Sequence, residues 1–110
     1  MSRVRRFRGC FVFAALALGG CASLEMIAPP VTPALVGASR GAAAGTLEEG
    51  RRIFTGACTA CHAADPVTKH TAGEWHGIVA EMSARTKLTP PREAALLAYL
   101  NAARATPPAP

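Results

Sequence analysis

The sequence has few large aromatic side chains, and this shortage limits the core that it can build. Its 110 residues include one tryptophan, one tyrosine and four phenylalanines, and Phe11 and Phe13 fall in an N-terminal apolar run. The remainder is rich in alanine. A small domain with so few bulky side chains seldom stabilises itself by apolar burial alone, and it usually depends on a disulfide, a metal or a cofactor.

Long hydrophobic runs are also missing, which argues against a membrane-spanning helix. The apolar run of residues 11–18 is well short of the roughly 20 residues that cross a bilayer. It follows a cluster of arginines and precedes Gly19, Gly20 and Cys21. This order is typical of an export signal. We predict that residues 1–20 are a signal peptide that is removed.

The segment Leu18-Gly19-Gly20-Cys21 resembles a bacterial lipobox, with a large aliphatic residue three before the cysteine and a small one directly before it. The resemblance implies cleavage before Cys21 and lipid on its thiol, which would anchor the protein to a membrane. Ala22 follows, where an aspartate would favour the inner membrane. The expected location is therefore the periplasm, with the anchor in the outer membrane. The alternative is an ordinary signal peptide in which Cys21 has no role.

A strong charge of one sign is absent from the part of the chain that would remain. The formal net charge is +5, but four of the arginines precede residue 9. From residue 21 onward, eight lysines and arginines stand against seven aspartates and glutamates, a net charge of +1. A nucleic-acid-binding surface needs clustered basic residues, so we expect no nucleic acid among the partners.

Proline, glycine and alanine divide the remaining chain into three parts. After Cys21, these residues recur without a sustained period, and we predict a flexible tether over residues 21–45. The proline-rich residues 105–110 are expected to form a disordered tail. Residues 46–104 between them are predicted to fold as one domain.

Helix signals account for most of residues 46–104. Two threonines stand three residues before a glutamate, the spacing of a capping box, and a third stands before a proline, as at many helix starts. These pairs are Thr46–Glu49, Thr71–Glu74 and Thr89–Pro90. Two helical faces are apolar; they consist of Trp75, Ile78, Val79 and Met82, and of Leu96, Leu97, Leu100 and Tyr99. No segment alternates as a strand does, so we predict an all-α domain of about three short helices.

The residues Cys58-Thr59-Ala60-Cys61-His62 form a C-x-x-C-H motif, the attachment signature of c-type haem. Two thiols at this spacing can each add to one vinyl group of a haem, and the adjacent His62 can then bind the iron. A haem would also supply the missing core. We therefore predict one covalent haem c per chain, with Cys58 and Cys61 as attachment points, His62 as the first iron ligand and the helices packed around it.

Three other uses of the motif remain open. Cys58 and Cys61 could form a disulfide in an oxidising compartment, or act as a thioredoxin-like redox pair, although that fold needs strands around the motif. A zinc ion could bind Cys58, Cys61 and His62, but a closed zinc site needs a fourth ligand, and the other two cysteines lie at or before residue 21.

Two segments around the motif resemble class I cytochromes c. Residues 50–54, Gly-Arg-Arg-Ile-Phe, are similar to the first helix of that family, in which a glycine and an aromatic residue meet the last helix. Residues 94–100, Ala-Ala-Leu-Leu-Ala-Tyr-Leu, are similar to the last helix, with its aromatic-leucine pair. The resemblance implies a haem c domain that transfers electrons and is not an enzyme, with periplasmic redox proteins as donor and acceptor. We expect a monomer.

The sequence offers several candidates for the second iron ligand. Met82 follows Trp75 by seven residues, which resembles a group of small cytochromes and implies thioether ligation. His76, His70 and an open site remain alternatives, because the methionine of many class I cytochromes lies farther along in a loop. Trp75 is expected either to donate its indole N–H to a haem propionate or simply to pack.

A lipid-anchored electron carrier is the function that these features favour. The same module could instead be the cytochrome subunit of a periplasmic redox enzyme complex. With an open sixth site it could be a haem-based gas binder or sensor.

Overall fold

The computed structural model describes residues 24–106. Residues 24–27 form a helical turn, and after it the described chain contains four α-helices, one short 3-10 turn and no strand. The α-helices are α1 (Pro33–Ala38), α2 (Ala44–Thr55), α3 (Ala72–Thr86) and α4 (Pro90–Ala105), and the 3-10 turn is Ala57–Thr59. The prediction of an all-α chain is confirmed for these residues. The predicted signal peptide, Cys21 and residues 107–110 lie outside them.

Helix α4 is the centre of the packing, because α1, α2 and α3 all contact it. Its buried face carries Leu96, Tyr99 and Leu100, and Leu97 is only half-buried. The closest approach is to α2, where Gly50 lies against the backbone of α4. One turn later, the ring of Phe54 lies 6.4 Å from the ring of Tyr99. A glycine and an aromatic residue of α2 thus meet the last helix, as the sequence led us to expect.

The capping box of α3 is present as predicted. The Thr71 hydroxyl accepts from the Glu74 N–H at 3.2 Å, and the Glu74 carboxylate accepts from the Thr71 N–H at 2.7 Å. These two bonds satisfy amides that a helix start otherwise leaves without partners. Helix α4 likewise begins at Pro90, directly after Thr89.

The predicted capping box at Thr46 is wrong. Helix α2 begins two residues earlier, at Ala44, and its N-cap residue Ala43 makes no side-chain hydrogen bond. Ala44 and Gly45 precede Thr46 within the helix, so the threonine lies in the first turn and not at the N-cap. The Glu49 carboxylate pairs instead with Arg52 on its own helix and Arg92 on α4.

The structure also differs from the expectation of a flexible tether before residue 46. Thr32 accepts from the Leu35 N–H at 3.2 Å, and Pro33 follows at the first helical position, so α1 has a regular N-terminal cap. Leu35 is only 1% exposed. We call residues 27–43 the strap, because they run across the helices as a packed part of the fold.

Hydrogen bonds attach the start of the strap to α4, to α2 and to the loop that contains Val67. The Tyr99 hydroxyl of α4 donates to the Pro29 carbonyl at 2.7 Å, and Arg51 Nε of α2 lies 3.2 Å from the carbonyl oxygens of both Ala28 and Pro29. The Val67 N–H donates to the Ile27 carbonyl at 3.0 Å. The prolines in this segment suggested an extended, mobile chain. In the structure, the carbonyl of one of them, Pro29, instead accepts hydrogen bonds from Tyr99 and Arg51.

None of the helices in residues 24–106 has both the length and the apolar character needed to cross a bilayer.

Candidate haem-binding cleft

The C-x-x-C-H motif lies directly after α2 and is tied to its end. Gly56 ends the helix, and the 3-10 turn Ala57–Thr59 carries the chain into the motif. The Thr59 hydroxyl lies 2.6 Å from the Thr55 carbonyl oxygen and 3.1 Å from that of Gly56. The position of Cys58 is therefore fixed by a helix that is itself packed on α4.

An apolar cleft opens beside the motif. The empty space in the cleft is about 450 Å³, including the part that is open to solvent. Its walls come from α2, the 3-10 turn, the loop of residues 60–71, α3 and α4. The lining residues are Phe54, Cys58, His62, Ala64, Asp65, Trp75, Ile78, Val79, Met82, Leu96 and Leu100. Asp65 is the one carboxylate among otherwise apolar, thiol, thioether, indole and imidazole groups.

The two motif cysteines are not joined by a disulfide. Cys58 is half-buried at the cleft, whereas Cys61 is exposed. Burial raises the pKa of the Cys58 thiol above its ordinary value of 9.0. Nucleophilic cysteines of thiol–disulfide enzymes have a lowered pKa and sit near positive charge. Cys58 has the opposite character, and no strand flanks it in the described chain, so a thioredoxin-like role is disfavoured.

The imidazole of His62 is placed so that one nitrogen can bind a metal. Its Nδ1 lies 2.9 Å from the Ala63 carbonyl oxygen. A carbonyl oxygen only accepts, so Nδ1 carries the proton and Nε2 of the neutral ring keeps its lone pair. A backbone carbonyl on the second nitrogen is the usual way in which proteins orient a metal-binding histidine.

Met82 and Cys58 are the two sulfur-containing side chains that line the cleft. Met82 is half-buried on α3, in line with Trp75, Ile78 and Val79, so the predicted apolar face of this helix is confirmed. The cleft thus brings His62 from the loop and Met82 from α3 to one apolar site. Twenty residues of sequence separate them, and only the packing of α3 shows that they share it.

Trp75 lines the cleft, but its indole N–H is already used. Nε1 donates to the Val67 carbonyl at 2.9 Å in a buried hydrogen bond, and the Phe54 ring packs edge-on at 5.7 Å. The expectation that the indole donates to a haem propionate is therefore not met, because Val67 satisfies the one N–H of the ring. Packing, the other role expected for Trp75, is the one observed.

Neither alternative histidine lines the cleft. His70 Nε2 lies 2.8 Å from Asp65 Oδ2, and the His70 ring stands edge-on to Trp75 at 4.9 Å. Hydrogen bonds from Lys69 and then His70 hold the pKa of the Asp65 carboxyl below its ordinary value. His76 is exposed on α3. Of Met82, His70 and His76, only Met82 lines the cleft with His62.

Sequence reasoning missed one polar group at the site. Asp65 carries no motif signal, and it reaches the cleft because the loop of residues 60–71 turns back toward α3. Phe54 and Leu100 were expected at the helix crossing or in the core, and they also form the cleft wall. Both side chains lie where α2 crosses α4, and the cleft is the space between that crossing and α3.

No group of three or more histidine, cysteine, aspartate or glutamate side chains within residues 24–106 is placed to hold a metal ion. A zinc site built on Cys58, Cys61 and His62 lacks such a donor set there. A scan against protein-family models finds no match for this chain, and searches of curated proteins and of solved structures find none either. The function of the cleft therefore rests on the chemistry of its own residues.

Proposed function

We propose that the chain is a lipid-anchored, monohaem c-type cytochrome that carries electrons in the periplasm. One observation carries the proposal: the C-x-x-C-H motif lies at the edge of an apolar cleft that also contains a thioether. In a c-type cytochrome, the cysteine thiols attach the haem, an imidazole and a thioether can bind its iron, and apolar side chains surround it.

The residues of the cleft fit this group. Cys58 and Cys61 are free thiols available for two thioether bonds, His62 presents the Nε2 lone pair, and Met82 supplies the second ligand. A tetrapyrrole would need all of the empty space in the cleft, including the part that is open to solvent. When bound, a haem supplies iron that alternates between the ferric and ferrous states.

The other side chains of the cleft set the conditions for electron transfer. Phe54, Trp75 and Leu100 exclude water from the site, and low polarity around a haem together with a thioether ligand raises its potential. The group would in turn stabilise the fold. Covering roughly 400–500 Å² of apolar surface at about 25 cal/mol/Å² contributes on the order of 10 kcal/mol, which addresses the shortage of large side chains.

The crossing of α2 and α4 supports the same proposal. Gly50 and Phe54 of the helix before the motif pack on α4, whose buried face includes Tyr99 and Leu100. This is the arrangement that the resemblance to class I cytochromes c implies. The export signal proposed for residues 1–20 would take the chain to the periplasm, where c-type haem is attached, and Cys21 would carry the lipid.

The test is expression in a bacterial host that matures c-type cytochromes. We expect haem that stays with the polypeptide after denaturation, and a sharp c-type absorption spectrum on reduction. Replacing Cys58 and Cys61 together by serine should abolish both. Cys10→Ser is the matched control, since Cys10 lies in the predicted leader. Exported wild-type protein without bound haem would overturn the proposal and return the two thiols to disulfide or metal chemistry.

A further inference from the structure

Two large apolar side chains are left exposed in residues 24–106, and both lie at the same end of the chain. Leu24 is 45% exposed and Met26 is 67% exposed. They stand three and five residues after Cys21, the proposed lipidation site. Exposed apolar side chains beside an anchor require an explanation, because the other large apolar residues described are at least half-buried.

The strap leaves little slack between the anchor and the folded domain. From Ile27 onward the chain is held, since the Ile27 carbonyl accepts from Val67 and the carbonyls of Ala28 and Pro29 accept from Arg51. Ala28 is fully buried. Six residues separate Cys21 from Ile27, and they span at most about 20 Å. A free chain to residue 45 would reach roughly four times as far.

We propose that Leu24 and Met26 contact the lipid surface and hold the domain against the membrane. This inference rests on the proposed lipidation of Cys21. Acyl chains on Cys21 keep the helical turn of residues 24–27 within a few residues of the bilayer, so the effective concentration of lipid at this turn is high. Leu24 and Met26 are two residues apart, so their side chains point to different sides of the helical turn. Both can contact lipid only if the N-terminal end of the turn, and not one side of it, enters the interface.

The same strap links the membrane contact to the cleft. Val67 donates to the Ile27 carbonyl, and its own carbonyl accepts from the indole of Trp75, which lines the cleft. Two hydrogen bonds thus separate the first held residue of the strap from the cleft wall.

The test places a nitroxide spin label at Met26→Cys in the full, processed, haem-loaded chain. Cys21 would carry lipid and Cys58 and Cys61 would carry haem, so the introduced cysteine is the one free thiol. The chain is reconstituted into vesicles of phosphatidylethanolamine and phosphatidylglycerol, and the collision rates of the label with oxygen and with a water-soluble nickel chelate are compared. Ala84→Cys is the control, because Ala84 is exposed on α3.

We expect the oxygen-to-nickel ratio at position 26 to rise several-fold on reconstitution, with no change at position 84. A ratio typical of water at both positions, in protein shown to carry lipid and haem, overturns this inference alone. Dipolar broadening between labels at position 26 overturns it in favour of a contact between two copies. Absence of lipid by mass removes the anchor and this inference with it. If the protein carries no haem, the cytochrome proposal fails, and the label at position 26 is then read in a variant with Cys58→Ser and Cys61→Ser, so that Met26→Cys is again the one free thiol.

Discussion

Gly50 on α2 lies directly against the backbone of Ala95 on α4. A Cβ atom at position 50 would overlap the Ala95 carbonyl oxygen and lie 2.6 Å from the Tyr99 Cβ. Contacts this short do not occur between real side chains, so the two helices can cross at this distance only if residue 50 is glycine. This crossing positions the motif, because α2 ends a few residues before Cys58.

Replacing Gly50 by alanine should therefore push α2 away from α4. We expect a loss of about 1–3 kcal/mol in the free energy of unfolding, as for other overpacked sites. Urea denaturation of the haem-loaded protein measures it.

The matched control is Gly45→Ala on the same helix. A Cβ at position 45 meets no atom within 4 Å, and removing a helical glycine contributes up to about 1 kcal/mol of stability. If Gly50→Ala and Gly45→Ala changed the free energy of unfolding equally, α2 and α4 would not cross closely at Gly50.

Tyr99→Phe should loosen the strap without altering the cleft. The substitution removes the hydrogen bond from the Tyr99 hydroxyl to the buried Pro29 carbonyl, and we expect a loss of about 1–2 kcal/mol at neutral pH. Arg51 still donates to that carbonyl, which limits the loss. A loss by urea denaturation with an unchanged haem spectrum would agree. No loss at all would mean that the strap is not held at this point.

The same tyrosine predicts an alkaline transition. Burial raises the pKa of Tyr99 from 10.0 to about 12. The unfolded chain then loses the phenol proton at lower pH than the folded one, so this contribution to stability is complete below pH 10 and is lost as the pH rises toward 12. Tyr99 is the single tyrosine, so phenolate absorbance follows it directly, and Tyr99→Phe should flatten the pH dependence of stability in this range.

Glu74 predicts an acid-sensitive helix start. The backbone N–H of Thr71, followed by its side chain, holds the pKa of this carboxyl below its ordinary value of 4.5. A carboxyl with a lowered folded pKa stabilises the fold above its ordinary pKa, and the contribution is lost as the pH falls through the folded value. Glu74→Ala should remove part of this pH dependence, measured by urea denaturation at successive acid pH values.

Glu48→Ala is the control for that substitution, because Glu48 is exposed on α2. Thr71→Ala removes the other half of the capping box and should cost about 1 kcal/mol at neutral pH. A pH dependence that is the same in all of these variants would show that the box contributes nothing in solution.

Met82→Leu tests the second iron ligand. Leucine keeps most of the volume of methionine, so the fold should tolerate the change. The ferric protein should lose the weak far-red band of thioether ligation, and the ferrous protein should bind carbon monoxide at the vacated position. His76→Ala and His70→Ala should leave both properties unchanged, since neither histidine lines the cleft. Loss of the native spectrum in a histidine variant alone would move the ligand there.

The two capping boxes predicted from the sequence had different outcomes. At Thr71 both hydrogen bonds of the capping box form, and α3 begins directly after it. Thr46 and Glu49 have the same spacing, but α2 begins at Ala44 and the Glu49 carboxylate pairs with two arginines instead. The spacing alone therefore does not fix a helix start, because the glutamate can find another partner.

The strap and the role of Trp75 could not be derived from local patterns. The prolines before residue 46 led us to predict an extended chain, whereas the structure has a helix capped by Thr32 there. The packing of the strap depends on Tyr99 and Arg51, far away in sequence, which bond to Pro29. The Trp75 indole likewise binds a carbonyl that the strap-bound Val67 presents. Hydrogen bonds between distant segments leave no periodic trace in a sequence.

Periodicity and spacing act over a few neighbouring residues, and they were enough to predict the helical class, the apolar faces of α3 and α4, and the chemical groups at residues 58–62. They could not show that Met82 shares a cleft with His62, that His70 bonds to Asp65 without lining that cleft, or that residues 27–43 are packed. These features depend on contacts between segments that are far apart in the sequence, such as the close approach of α2 and α4 at Gly50.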